Sequence, residues 1–105
     1  MKDFAKTKEY RELRAALLAS LEKRNLLNTT YRDKVNEYMD FWVRRQQLRA
    51  DVEGRGLLVT DERGRISENR SISLEIQVSR QMLALFTAMG FRPEDLETEE
   101  PDDDL

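Results

Sequence analysis

The chain has 105 residues and a formal net charge of −3, from 18 Lys and Arg against 21 Asp and Glu, and it contains neither Cys nor His. That length accommodates one domain with a small core, and the missing residue types exclude disulfides, zinc sites of the usual Cys/His kind, thiol nucleophiles and any Ser-His or Cys-His catalytic pair. No apolar run approaches the roughly 18 residues that span a bilayer, and Met1-Lys2-Asp3-Phe4-Ala5-Lys6 has no signal-peptide core, so a soluble cytoplasmic protein is expected.

From about Phe4 to Arg24, Tyr10, Leu13, Leu17 and Leu21 recur at steps of three and four with Leu18 beside them, which predicts an amphipathic helix. Its stop is expected at Lys23-Arg24-Asn25, where cations suit the helix C-terminus and Asn accepts left-handed backbone. After the turn Leu26-Leu27-Asn28, Thr29 or Thr30 is the expected cap of a second helix reaching about Glu53. Its stripe is Tyr31, Val35, Tyr38 and Trp42, continued by Phe41, Leu48 and Val52. Joined so tightly, the two helices should pack antiparallel, with these aromatics in the core.

Gly54 and Gly56 are read as ending the second helix. Leu57-Leu58-Val59-Thr60, the turn Asp61-Glu62-Arg63-Gly64 and Arg65-Ile66-Ser67 then predict a small β-hairpin. Asn69 or Ser71 is the expected cap of a third helix with two apolar lines, one through Ile72, Ile76, Ser79, Leu83 and Phe86, the other through Leu74, Val78, Met82, Leu85 and Met89. So wide an apolar surface exceeds what one helical hairpin covers, and the second line, Leu74, Val78, Met82, Leu85 and Met89, is assigned to a contact with another copy. Met89-Gly90-Phe91-Arg92-Pro93 is a strong stop signal. The fold class is thus mainly α: an antiparallel helical hairpin, a small β-hairpin, a third amphipathic helix and an acidic tail.

The charge is divided along the chain. Glu94 to Leu105 holds eight acids and no base, so residues 1–93 carry all 18 bases against the other 13 acids, a net of +5. Residues 1–93 are therefore read as the domain and 94–105 as a flexible acidic tail with little to bury. A basic body makes a polyanion a candidate partner.

The order helical hairpin, β-hairpin, and helix ending in Gly-aromatic-x-Pro resembles the P27-like family of phage terminase small subunits. The matching stretches are Tyr31 to Trp42, the glycines of Glu53-Gly54-Arg55-Gly56, and Asn69 to Pro93 with Ser79-Arg80-Gln81-Met82-Leu83 inside it. Two features depart from the pattern: Asn69-Arg70 stands where members often read Asn-Pro, and the segment after Pro93 is more acidic. The resemblance implies a non-enzymatic packaging component of a phage or prophage in the bacterial cytoplasm. It would recognise double-stranded viral DNA, form a ring-shaped homo-oligomer and deliver DNA to the terminase large subunit.

Candidate DNA contacts are Lys6, Lys8, Arg11 and Arg14 at the start of the first helix, Arg44, Arg45 and Arg49 near the end of the second, and Arg55, Arg63 and Arg65 around the hairpin. Such cations neutralise phosphates and release counterions. The competing reading of the same residues is a solvated face paired with Glu9, Glu12, Asp51 and Glu53. Neither a cofactor nor a metal is expected: Asp102-Asp103-Asp104 sits in the tail without the rigid, convergent carboxylates that a metal needs. Gly54-Arg55-Gly56 lacks the Lys-Ser/Thr of a phosphate loop. For the tail, docking to a basic partner, competition with DNA for the protein's own arginines, and simple solubilisation all stay open. The alternative function is a small helical adaptor that recruits a basic partner through this tail and touches no nucleic acid.

Overall fold

The apolar stripes become two antiparallel helix pairs that share one long central helix. The computed structural model describes residues 2–92, so the acidic tail lies outside the described residues. A short 3-10 turn, Phe4–Lys6, precedes α1 (Lys8–Lys23), α2 (Thr29–Arg55), β1 (Leu58–Thr60), β2 (Ile66–Glu68) and α3 (Ser71–Ala88). This is the expected mainly helical architecture with its small hairpin.

The helix starts differ from those expected, and each difference has a hydrogen-bond reason. Thr7 interrupts the first helix: its hydroxyl donates to the Phe4 carbonyl at 2.8 Å and accepts the Tyr10 N–H at 3.2 Å, closing one turn and capping α1. Asn28, rather than Thr29 or Thr30, caps α2 by accepting the Tyr31 N–H on Oδ1 at 3.0 Å. α2 runs through Gly54 to Arg55 and stops only at Gly56, whose φ is 91°. A helical Gly costs about 1 kcal/mol against Ala, and the bidentate Arg55–Asp51 pair, at 2.8 Å on both contacts, bridges the last turn around it.

Pairs of contacts fix the helix directions. Tyr10 meets Trp42 edge-on with ring centroids 5.8 Å apart, and Arg14 donates to Asn36 Oδ1 at 3.1 Å, so α1 and α2 are antiparallel. Ser71 bonds Asp51, Arg49 bonds Glu75 and Tyr38 packs on Phe86, so α2 and α3 are antiparallel too. The core is Leu17, Leu21, Val35, Met39, Met89 and Phe91, with Tyr10, Tyr31, Tyr38, Trp42, Leu85 and Phe86 packed around it. Burying each such aliphatic side chain stabilises by about 1.5–3 kcal/mol.

A buried polar knot sets the rotation of α3. Asn69, fully buried, donates through Nδ2 to the Gly56 carbonyl at 3.0 Å and accepts the Ser71 N–H on Oδ1 at 2.9 Å. Ser71 Oγ in turn donates to Asp51 Oδ2 at 2.7 Å. With Ser71 held inward, Val78, Met82 and Met89 fall on the same line of the helix and are buried with it.

The other end of α3 is closed by a residue from the α1–α2 corner. Gly90 takes φ 80°, and the Phe91 N–H returns to the Phe86 carbonyl at 3.1 Å, a Schellman-type stop. Arg24, expected only to complement its own helix, reaches over to α3: Nη2 donates to the Met89 carbonyl at 2.8 Å, Nη1 to that of Gly90 at 3.3 Å, and its guanidinium lies 4.8 Å from the Phe91 ring centroid.

The hairpin pairs Leu58 with Glu68, Val59 with Ser67 and Thr60 with Ile66. Asp61 organises its turn by accepting the N–H groups of Arg63 and Arg65 at 2.8 and 2.9 Å, while Gly64 supplies a φ of 82°. Its base is tied down where the Asn69 N–H reaches the Leu57 carbonyl at 2.7 Å.

Candidate nucleic-acid interface

Thirteen arginines on so small a chain raise the question of which are already engaged. Arg55 is: besides Asp51 it reaches Asn69 Oδ1 at 3.3 Å, so it belongs to the knot that joins α2 to α3. Asp51, bonded first by Arg55 and then by Ser71, is held well below the usual carboxylate range, and Arg55 is correspondingly raised by Asp51. Arg49 pairs with Glu75 at 2.6 Å. Arg65 pairs with Asp61 at 3.2 Å, and the amides of Arg65 and Arg63 lower the Asp61 carboxyl.

The N-terminal cluster is engaged more loosely. Lys6 lies 3.9 Å from Asp3 and Lys8 3.8 Å from Glu12, both in solvent, where such pairs contribute little. Arg11 donates to the Lys6 carbonyl at 3.1 Å and Arg14 to Asn36. The ten expected cations sit on three elements, the start of α1, the far half of α2 and the hairpin, and the first of these packs against α2 through Tyr10 and Trp42.

What remains available centres on the α2–α3 pair. Arg44 and Arg80 line one groove of about 440 Å³ with Gln77 and Gln81 on its rim and Phe41, Leu48, Leu74 and Val78 below. Neither arginine has an ion pair or hydrogen bond among the described residues, whose charge pairs lie elsewhere. Arg45 is half-buried beside Arg49, and its Nε is buried without an acceptor among the described residues. Burial first, then the Arg49 charge, lowers its pKa, while burial raises that of Tyr38 nearby. The buried Nε is closed to a ligand from solvent, so Arg45 meets an anionic oxygen only through its terminal nitrogens. Arg80 and Phe41 were not singled out from the sequence as site residues. Arg80 lies one helical turn from Ile76 on a helix read for its apolar lines, and Phe41 was read as core.

The model of the family described as "Phage terminase, small subunit" matches residues 10–99. The chain belongs to that family. No curated protein and no solved structure matches it. The match covers α1 from Tyr10 onward, α2, the hairpin and α3, so the groove, the polar knot and the Arg24 clamp all lie within the family region. No helix among the described residues is long and apolar enough to cross a membrane.

The apolar residues assigned to a second copy of this small subunit lie otherwise than expected. Val78, Met82 and Met89 are buried within the single chain, and Leu74 and Leu85 are half-buried beside them. Periodicity shows two seams on α3 but not which one faces α2, and the Asn69–Ser71–Asp51 knot turns this one inward. The apolar residues that α3 leaves outside are Ile76, 50% exposed, and Leu83, 61% exposed.

Proposed function

We propose that the chain is a P27-like terminase small subunit that recognises double-stranded viral DNA, assembles as a ring-shaped homo-oligomer and passes DNA to the large subunit without catalysing a reaction itself. The observation that carries this reading is the family match over residues 10–99. The α2–α3 surface supports it: Arg44 and Arg45 carry charge with no acidic partner in hydrogen-bond contact, which suits phosphate oxygens, and Gln77 and Gln81 offer amides beside Arg44. A ring repeats this modest patch around one DNA molecule and converts weak contacts into avidity.

The test is duplex DNA binding at several salt concentrations. Each phosphate contact contributes about 0.9 to the slope of log affinity against log salt, so the double variant Arg44→Ala, Arg45→Ala should bind weakly and with a flatter slope. No binding at low salt, even after residues 97–105 are deleted, would rule out the DNA role; if a basic partner were captured through those residues instead, the adaptor reading would replace it. Light scattering tests the assembly, which a monomer at micromolar concentration would rule out.

A further inference from the structure

The large apolar side chains exposed on the described residues fall on two elements: Leu57, Leu58 and Ile66 on the hairpin, at 65, 63 and 68%, and Ile76 and Leu83 on α3. We infer that these two faces mate with each other between neighbouring copies, the hairpin of one subunit lying in the outer groove of α3 of the next. This rests on the ring proposed above and names the surfaces that would close it.

The hairpin needs a cover. A two-stranded hairpin alone in water is marginally stable at best, and this one packs no helix extensively among the described residues. The register places Leu58, Thr60, Ile66 and Glu68 on one face, so that two large apolar side chains stand together in solvent. Opposite requirements meet on α3. Ile72, Ile76, Ser79 and Leu83 line an open groove of about 380 Å³, rimmed by Arg80 and by Glu75, whose charge Arg49 already meets at 2.6 Å. Glu68 on the hairpin face has no ion pair among the described residues, and neither has Arg80, so the two faces also match in charge.

Symmetry and charge, rather than area, select a second copy as the occupant. A large aliphatic side chain carries roughly 60–120 Å² of apolar surface. The exposed portions of the five residues then total roughly 200–400 Å², against about 550 Å² of apolar surface in the smallest specific interfaces. One such contact is weak. In a closed ring each subunit is held on both sides, which compensates. The two faces differ, so the contact is head-to-tail, the kind that generates rings rather than symmetric dimers.

Mixing two variants tests this. Leu58→Lys with Ile66→Lys removes the hairpin face, and Ile76→Lys with Leu83→Lys removes the α3 face. Each variant alone should be monomeric by light scattering with unchanged helical circular dichroism. At a protein concentration high enough for one weak contact to form, an equimolar mixture should give a one-to-one dimer that grows no further, because one intact hairpin and one intact groove remain between them. Leu58→Thr with Ile66→Thr keeps strand propensity, and it should weaken assembly as well if the face rather than the hairpin's folding matters. Wild-type rings with either Lys variant still assembling would overturn the inference and leave the ring reading intact. Assembly lost in both variants but not restored by mixing would also overturn it, by pointing to a symmetric contact. A monomeric wild type would take down both readings.

Discussion

Replacing Gly90 by Ala tests how α3 is closed. The substitution places an L-residue at φ 80°, and its Cβ would lie 2.9 Å from Arg24 Nη1. The left-handed backbone costs about 1–2 kcal/mol, of which about 0.5 kcal/mol is returned by the stiffer unfolded chain. The guanidinium can swing away, but it then gives up its bonds to the Met89 and Gly90 carbonyls and its seat over Phe91. For a partly exposed group the low end applies, about 1.5 kcal/mol for charge-assisted bonds and about 0.5 kcal/mol for the ring contact. Gly90→Ala should therefore destabilise by about 2.5–3.5 kcal/mol, but by only about 1 kcal/mol when Arg24 is already Ala. Urea unfolding followed by the fluorescence of Trp42, the one tryptophan, measures both at a fixed protein concentration. Equal losses in the two backgrounds, within about 0.3 kcal/mol, would refute the clamp.

Asp51 has a depressed pKa in the folded state, so its contribution is present above the ordinary carboxylate value near 3.9 and fades as pH falls below it. The gap in urea midpoint between wild type and Asp51→Asn should accordingly shrink between pH 5 and pH 3; a constant gap would refute that assignment. Asn69→Ala leaves the Ser71 amide and the Gly56 carbonyl without their partners and should cost about 2–3 kcal/mol. Hydrogen exchange should show hairpin amides losing protection while α1 keeps it. Leu21→Ala, in the core, should cost about 2–5 kcal/mol in the same urea assay.

Much of this was legible in the residues, and the failures share a cause. Leu17, Leu21 and Val35 mark core because helical periodicity is a local signal, whereas Met39, equally buried, stands outside the stripe assigned to the second helix. The stop at Gly90 was legible for the same reason, since left-handed backbone followed by Phe91 is written in adjacent residues. Contacts between residues far apart in sequence were not. Arg24 lies 66 positions from Gly90, and Asp51 lies 20 from Ser71. Composition cannot say that Arg55 ties two helices together while Arg44 faces an open groove. The inward seam of α3 was misassigned because two seams with equal periodicity are told apart only by that distant knot. Gly54 was taken for a terminator, as its low helix propensity recommends, and the helix, its last turn bridged by a side-chain pair, runs through it.

The two fastenings of α3 give the subunit a front and a back. The hairpin springs from the Asn69 end, and the chain leaves the described fold at Arg92, beside Arg24, with the 18 residues of α3 between them; at about 1.5 Å per residue they are roughly 27 Å apart. Copies arranged with a common orientation would present their hairpins at one pole and start their acidic segments at the other.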